Sequence, residues 1–364
     1  MNNILKSKKN SIGLLVGFTA ILLSFFIILN NTFGLRTNLF LDTKIHVFLN
    51  LQNRQIIQRA EQDQTILKLS GRVGWLAESV EVAITSSDMT VIQPKDWSLL
   101  DTSPKFTYFK GQVSVLPGWI KIFGRSQGRG YRLANGLQIG VGEVFIVAGQ
   151  SNASGSSKTL FLSKYDNVQA GQLQEDGSIL WKHGDDPKIR GGGGSPWPLV
   201  GDILSTELGM PIGFINVAKG GSSIRDWELG SDYFKQLIGV IESSQPYGVR
   251  AILWHQGESD KGMTSDEYYT RLFSLIHEVQ KATKVNIPWL VARATYGSGN
   301  ISESVRSAQK RIWDDGIALQ GPDTDSLGQP YRETSDGVHF NEAGTREVAK
   351  LWTEKIKAAF FDNN

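Results

Sequence analysis

The sequence contains no cysteine among its 364 residues. This absence excludes disulfide bonds, cysteine-ligated zinc and a thiol nucleophile, and it is compatible with an oxidising compartment. Excess charge is lacking too: 38 basic and 36 acidic residues leave a formal charge of +2, with no basic block beyond the N-terminus. The sequence therefore predicts no nucleic-acid partner. Its length and its 40% hydrophobic content suffice for one large or two ordinary globular domains.

A single long hydrophobic run lies near the N-terminus. It extends over residues 12–29, behind Lys6, Lys8 and Lys9, and as a helix of about 27 Å it would just cross a bilayer core. The lysines favour a cytoplasmic N-terminus, and no convincing signal-peptidase site follows the run. We therefore predict cytoplasmic residues 1–11, a transmembrane signal anchor over 12–30 and a membrane-anchored extracytoplasmic remainder, periplasmic or at the cell surface. Cleavage of the run would instead yield a secreted protein.

Beyond the anchor, residues 45–140 predict a small β-sandwich-like domain. Apolar and polar residues alternate there with a period of two, between clusters of Gly, Pro, Asp and Ser, as in half-buried antiparallel strands. No pattern in this segment indicates catalysis. The alternating stretches are "QTILKLSGRV", "ESVEVAITS", "KFTYFKGQVSVLPG" and "WIKIFGRSQ".

The pattern changes after residue 140. Apolar strands alternate with helical segments, which predicts a domain over 141–362 with a parallel sheet covered by helices on both faces. A run of four glycines at 191–194 lacks the Lys-Ser/Thr ending of a phosphate loop. This run is interpreted as an active-site loop or a plain linker.

Small and polar residues follow the predicted strands of this second domain. They form "GQSN" at 149–152, "KGGSS" at 219–223 and "HQGESD" at 255–260, while "SDGVHF" at 335–340 precedes a helical stretch. Ligands bind open parallel sheets beyond the carboxyl ends of the strands. We therefore expect these four segments to meet at one site.

The residue types in these segments are those of an acyl-transfer site. A serine at the end of a strand can act as a nucleophile, and a carboxylate three residues before a histidine can orient the imidazole as its base. These roles are predicted for Ser151, Asp336 and His339. Backbone N–H groups of Ser151 and Gly221, together with the side chain of Gln256, are the predicted oxyanion-hole donors.

The four blocks "GQSN", "GGSSIRDW", "HQGESD" and "DGVHF" together resemble the SGNH hydrolase superfamily. The nearest branch is that of the sialate O-acetylesterases and related carbohydrate (acetylxylan) esterases. The resemblance implies a flavodoxin-like three-layer α/β/α domain, with Ser151 as nucleophile and His339 as base. In this branch Gln256 stands where the wider superfamily has an asparagine, and Asn152 is implied to hold the loop that aims the serine.

Two assignments stay open at this stage. Glu258 could pair with His339 in place of Asp336, although Asp336 is favoured because it is close in sequence; Glu258 and Asp260 are otherwise predicted to be supporting residues. Four side chains, those of His255, Glu258, Asp260 and His339, could also bind a metal, but they lack a metal-ligand spacing. No metal and no cofactor are predicted.

Trp227 follows the glycine loop and is a candidate wall of the substrate pocket, although tryptophans in such segments more often belong to the core. The predicted function is a serine esterase that removes O-acetyl groups from a carbohydrate, with an acetylated glycan or polysaccharide as partner. A lipid-ester or thioester hydrolase on the same fold is one alternative. A catalytically silent glycan-binding protein of the cell envelope is the other.

Overall fold

The computed structural model describes residues 45–48, 50–61, 64–74, 77–88, 92–105, 107–128, 132–133, 136–186 and 189–362. The predicted anchor over 12–30 lies outside these ranges and stays a prediction. Within the ranges, no helix combines the length and the apolar composition that a membrane span requires. The first strands are β1 (Ile45–Phe48), β2 (Ile56–Gln58), β3 (Thr65–Val73), β4 (Ala77–Ser86), β5 (Trp97–Asp101), β6 (Tyr108–Val115), β7 (Gly118–Gly128) and β8 (Arg132–Leu133).

Seven of these eight strands form two layers around an apolar cluster. Antiparallel pairing joins β1, β3 and β6 in one layer, and β4, β5, β7 and β8 in the other. Leu69 and Phe109 from the first layer pack with Val82 and Ile122 from the second, and all four are buried. Each of the four predicted alternating stretches forms a strand. An independent β-sandwich-like domain stays a prediction.

One long strand, β9 (Leu137–Gly149), connects these layers to the rest of the protein. Its first half pairs with β2 and β7, so the boundary predicted between residues 140 and 141 falls inside it. Glu143, midway along β9, is completely buried and accepts hydrogen bonds from Arg59 at 2.6 Å and Arg250 at 2.7 Å. A buried ion-pair network therefore ties the strand-rich region to the second domain.

The remaining elements alternate between strand and helix, as predicted. The central sheet has the strand order β11-β10-β12-β9-β13-β14-β15, in which neighbours are parallel except for β11 against β10. The strands are β10 (Val168–Leu173), β11 (Ile179–His183), β12 (Ile212–Asn216), β13 (Ala251–His255), β14 (Trp289–Arg293) and β15 (Leu319–Asp323), and the helices are α1 (Ser151–Ser154), α2 (Trp197–Leu208), α3 (Asp232–Ser244), α4 (Ser265–Thr283), α5 (Glu303–Asp314) and α6 (Glu342–Phe360).

Side chains that alternate along β9 enter two different cores. Ile146 packs with residues of α3, α4 and α5 on one face, whereas Val147 packs with residues of α2 and α6 on the other. Both side chains are fully buried, which explains why the strand reads as a continuous apolar run rather than an alternating one. The predicted three-layer α/β/α arrangement is therefore present in this domain.

The site lies where the strand order reverses. Within the sheet, β12-β9-β13-β14-β15 follow the 2-1-3-4-5 order of doubly wound folds, so the chain leaves β9 toward one neighbour and later returns on its other side. The carboxyl ends of β9, β12 and β13 thus lie side by side. Gly149 ends β9 with a φ of +127°, and a Cβ there would lie 2.1 Å from the carbonyl oxygen of His255. Glycine at this position lets the chain turn directly into Ser151.

Candidate active site

Ser151 is the first residue of the one-turn helix α1. Its Oγ lies 2.9 Å from Nε2 of His339, and Nδ1 of that ring lies 3.0 Å from Oδ2 of Asp336. An ionised Asp336 accepts a hydrogen bond from the Nδ1–H group, which leaves Nε2 as the acceptor for the serine hydroxyl. The fold therefore brings Ser151 to within hydrogen-bond distance of His339, which lies 188 positions later in the chain.

Asp336 is held by its own turn. Its Oδ1 accepts the backbone N–H groups of Val338 at 2.8 Å and His339 at 2.9 Å. Partial burial by itself would raise the pKa of this carboxyl, but these hydrogen bonds and the adjacent imidazole lower it below its usual value. Asp336 is therefore ionised at neutral pH, as an orienting partner of His339 must be.

Glu258, the alternative partner, lies elsewhere. Its Oε1 accepts a hydrogen bond from Nδ2 of Asn152 at 2.8 Å and lies 3.6 Å from Nε2 of the fully buried His255. Burial opposes ionisation of Glu258, but the adjacent His255 and the hydrogen bond from Asn152 outweigh it and lower its pKa. Asp336, and not Glu258, occupies the position beside the ring of His339.

Asn152 connects the serine to the histidine loop. While its amide nitrogen donates to Glu258, its Oδ1 accepts the backbone N–H of Phe340 at 3.3 Å. Phe340 follows His339 directly, so Asn152 fixes the separation between the helix of Ser151 and the loop of His339. This contact agrees with the loop-holding task implied for Asn152.

Two of the predicted oxyanion donors have free N–H groups. The backbone N–H groups of Ser151 and Gly221 donate to no acceptor in the part of the chain that the structure describes. Gly221 is exposed and has a φ of +76°, and a Cβ on the preceding Gly220 would lie 3.8 Å from Cβ of Ser151. The glycine loop after β12 therefore lies against the serine.

The structure contradicts the predicted oxyanion role of Gln256. This side chain is fully buried, and its Nε2 lies 2.5 Å from Oδ2 of Asp260 and 3.2 Å from the carbonyl oxygen of Ser222. Its Oε1 accepts the hydroxyl of Tyr268 at 2.8 Å. Because the amide hydrogens are used inside the protein, Gln256 braces the loops of the site instead of facing an ester.

Gln150 has the free amide that Gln256 lacks, and the sequence reasoning missed it. Its Oε1 accepts the backbone N–H groups of Gly257 at 3.2 Å and Ser259 at 3.1 Å, which settles the orientation of the amide. Its Nε2 donates to no described residue. The signal in the sequence was its position directly before Ser151.

Asp260 anchors the glycine loop to the end of β13. It accepts the hydroxyl of Ser223 at 2.5 Å and the backbone N–H of Ile224 at 2.8 Å. The suggestion that Trp227 forms a pocket wall is wrong, because this side chain is fully buried and packs edge-on against Trp254 at 5.3 Å. Its indole belongs to the core under the loop.

Arg332 is a second residue that the sequence reasoning missed. It is only 1% exposed, and it donates to the carbonyl oxygens of Val338, Thr324 and Leu327 at 2.7–2.8 Å. Burial lowers its pKa to about 10. Arg332 thus holds the loop of His339 in place through these buried hydrogen bonds. No motif in the sequence distinguishes it from a surface arginine.

Chemically, the site combines a serine hydroxyl with a histidine acceptor, an ionised carboxylate and free N–H groups. These are the groups that acyl transfer through a serine nucleophile requires. Among the residues that the structure describes, no group of three or more His, Asp or Glu side chains could hold a metal ion.

Comparisons with known proteins show what this domain is similar to. Residues 194–358 match a family described as carbohydrate esterase, sialic acid-specific acetylesterase. The chain is also 27% identical to a probable carbohydrate esterase of Arabidopsis thaliana over 227 residues, which are 54% of this chain and 84% of that protein.

A solved structure has a similar fold. A carbohydrate acetylesterase from Xanthomonas citri aligns with a TM-score of 0.57 at 16% identity, over 87% of this chain and 75% of that one. Together these similarities support a carboxylic ester hydrolase with an α/β fold. Ser151 lies ahead of the residues that the family matches, whereas Asp336 and His339 lie within them.

Proposed function

We propose that the esterase removes O-acetyl groups from a carbohydrate, with Ser151 as nucleophile, His339 as general base and Asp336 as its orienting carboxylate. The observation that carries the proposal is the hydrogen-bonded chain from the Ser151 hydroxyl through both nitrogens of His339 to Asp336. The carbohydrate class is supported by the family of the domain and by its relative in Arabidopsis thaliana.

In the acylation step, Oγ of Ser151 attacks the acetyl carbonyl carbon while Nε2 of His339 takes the hydroxyl proton. The resulting imidazolium is stabilised by Asp336. Collapse of the tetrahedral intermediate breaks the bond to the sugar oxygen, which receives the proton from Nε2. The deacetylated sugar leaves with a free hydroxyl group, and an acetyl ester remains on Ser151.

Deacylation repeats this proton path with water. His339 removes a proton from a water molecule that attacks the acetyl-enzyme, and it then returns the proton to Oγ of Ser151 as acetate leaves. In both steps the negative charge on the former carbonyl oxygen is held by N–H donors. We assign these donors to the backbone of Ser151 and Gly221 and to Nε2 of Gln150, because all three lack acceptors among the described residues.

The test compares the full chain, purified in detergent, with its Ser151→Ala variant on an aryl acetate and on acetylated carbohydrates. Acetate release from sialic acids, xylan and bacterial exopolysaccharides identifies the substrate class. We expect Ser151→Ala to lower the rate at least about 10³-fold. Equal rates for the two proteins would refute the esterase mechanism, and hydrolysis of lipid esters or thioesters in place of all carbohydrates would refute the substrate class. The free hydroxyl at hydrogen-bond distance from His339 disfavours a catalytically silent protein.

We also propose that residues 12–30 tether the esterase outside the cytoplasm, on the basis of the apolar run and the preceding lysines. Membrane fractionation of cells that express the full chain tests this location. Protein that is recovered entirely from the soluble cytoplasmic fraction would contradict it.

A further inference from the structure

One face of the strand-rich region carries cations and no carboxylate. In the layer formed by β1, β3 and β6, alternate side chains of β3 and β6 point away from the apolar cluster and lie opposite one another across the two strands. We call these eight side chains the basic face, because cations are present among them and acidic residues are not. The outward pairs are Ile66–Ser114, Lys68–Gln112, Ser70–Lys110 and Arg72–Tyr108.

The three cations of the basic face are neighbours without a counter-charge. Lys68 and Lys110 occupy diagonal positions on the two strands, as do Lys110 and Arg72, so their Cα atoms are roughly 7–8 Å apart. None of them forms an ion pair with a described residue. The nearby carboxylate of Asp101 accepts the backbone N–H groups of Lys110 at 3.1 Å and Ser103 at 2.9 Å. Because the three like charges repel one another, an anionic partner would stabilise the face.

The opposite layer of the same region pairs its outward charges. There Arg125 of β7 donates to Glu81 of β4 at 2.8 Å, and Gln127 donates to the same carboxylate at 2.6 Å. The basic face exposes apolar and aromatic side chains beside its cations instead: Ile66 is 57% exposed and Tyr108 is 46% exposed. This combination of cations with exposed aliphatic and aromatic groups is typical of surfaces that contact lipid headgroups.

The place of the basic face in the chain favours a lipid surface as its partner. Strand β1 follows the predicted anchor over 12–30 and pairs with β3 in this same layer. Only residues 31–44 separate the anchor from β1, a stretch that can extend at most about 50 Å. A bilayer that holds the anchor is therefore always within reach of this layer, at a high effective concentration.

We propose that the basic face docks onto an anionic lipid surface and holds the tethered domain in one orientation at the membrane. Lys68, Lys110 and Arg72 bind lipid phosphates, while Ile66 and Tyr108 contact the headgroup region. This inference rests on the proposed tether, because the anchor brings the lipid to the face. Each cation near an anionic membrane strengthens binding about fivefold, so the three favour docking on anionic over neutral lipid about 100-fold.

The experiment exploits the absence of cysteine from the chain. Gln112→Cys introduces a single cysteine on the basic face, opposite Lys68. Leu99→Cys, at a position 59% exposed and paired with Glu81 in the opposite layer, is the matched label site. Each full-length variant is labelled with a fluorescent donor and reconstituted into phosphatidylcholine vesicles that contain a headgroup-linked acceptor, with or without about 30% phosphatidylglycerol.

We expect energy transfer from the label at position 112 to rise on anionic vesicles. It should fall again at about 1 M salt, where the Debye length is roughly 3 Å. Energy transfer from the label at position 99 should not rise. Its response separates docking of the basic face from a general approach of the domain to the bilayer.

The charge requirement is tested in the Gln112→Cys background. Lys68→Gln and Lys110→Gln should each lower the docking constant, measured from energy transfer against phosphatidylglycerol content, about fivefold, and the double variant should lower it about 25-fold. Lys350→Gln, at an exposed position on α6, should leave the docking constant unchanged. Thermal unfolding in detergent verifies that each variant is folded.

Three results would overturn the docking proposal. They are equal energy transfer from position 112 on neutral and anionic vesicles, a rise that persists in the double lysine variant, and a rise on neutral vesicles that depends on protein density. The last result would indicate a second copy of the chain on the basic face. If alkaline carbonate extracts the protein from both kinds of vesicle, the tether fails; if the protein stays and position 112 does not respond, only the docking fails.

Discussion

The partner of His339 can be tested by removing one charge at a time. In Asp336→Asn, the amide oxygen can still accept the two backbone N–H groups that Oδ1 now accepts, but the amide nitrogen then faces Nδ1 of His339. Two N–H donors cannot face each other, so the ring must keep its proton on Nε2. His339 in that tautomer cannot accept the proton of Ser151.

The magnitude follows from this change of tautomer. Replacement of the buried aspartate by asparagine in serine proteases lowers kcat about 10⁴-fold. The side chain of Asp336 is 39% exposed, so water can partly compensate, and we expect a loss of about 10³-fold, or ~4 kcal/mol of transition-state stabilisation. Because the change acts on proton transfer, kcat should fall while KM stays within a few-fold.

The matched variant is Glu258→Gln, which removes the other candidate charge. Its amide oxygen can still accept from Asn152, so we expect less than about a tenfold loss of kcat. Asp266→Asn, at a position that is 91% exposed, serves as control. Steady-state hydrolysis of an aryl acetate gives kcat and KM for all three variants. A loss of 10³-fold in Glu258→Gln, with less than tenfold in Asp336→Asn, would refute the assignment of Asp336.

Four further predictions concern other parts of the molecule. Gln150→Glu keeps the acceptor oxygen but removes the free N–H donor, and it should lower kcat about 10²-fold. Gln256→Ala should mainly reduce the free energy of unfolding, by about 1–3 kcal/mol, because it leaves buried partners unpaired. Glu143→Ala leaves two arginines without their carboxylate partner. It should lower the free energy of unfolding, measured in urea, by about 3–5 kcal/mol. Burial raises the pKa of Asp186 to about 6. Between about pH 4 and 6 the folded protein therefore binds more protons than the unfolded chain, and this residue makes stability fall as pH rises. From pH 4.5 to 7, the free energy of unfolding of Asp186→Asn should increase by about 2 kcal/mol relative to that of the wild type.

Each of these predictions has a contrary outcome. An intact kcat in Gln150→Glu, together with a selective loss of kcat in Gln256→Ala at unchanged stability, would return the oxyanion role to Gln256. A loss below about 1 kcal/mol in Glu143→Ala would show that the network contributes no net stability. A stability difference between Asp186→Asn and wild type that does not change with pH would show that Asp186 titrates at its ordinary pKa.

The sequence by itself determined the elements and the chemistry that are local. Period-two alternation predicted the strands of the N-terminal region, and the apolar runs after residue 140 predicted the parallel sheet, because both patterns reflect which faces of a strand are buried. The three-residue spacing of Asp336 and His339 placed the carboxylate at the ring, since one turn suffices to bring them together. The glycine before Gln150 and Ser151 reflects a backbone angle that the strand end requires.

Tertiary structure alone decided which polar groups at the site are left without an internal hydrogen-bond partner. Gln256 and Gln150 are both glutamines at the ends of neighbouring strands, and only the packing of Tyr268 and Asp260 around the former shows that its amide is used internally. Likewise, only the folded chain shows that Gly191 of the four-glycine run packs against Gly155, 36 positions earlier in the chain. Hydrogen-bond saturation and burial depend on contacts distant in sequence, so a single sequence cannot reveal them.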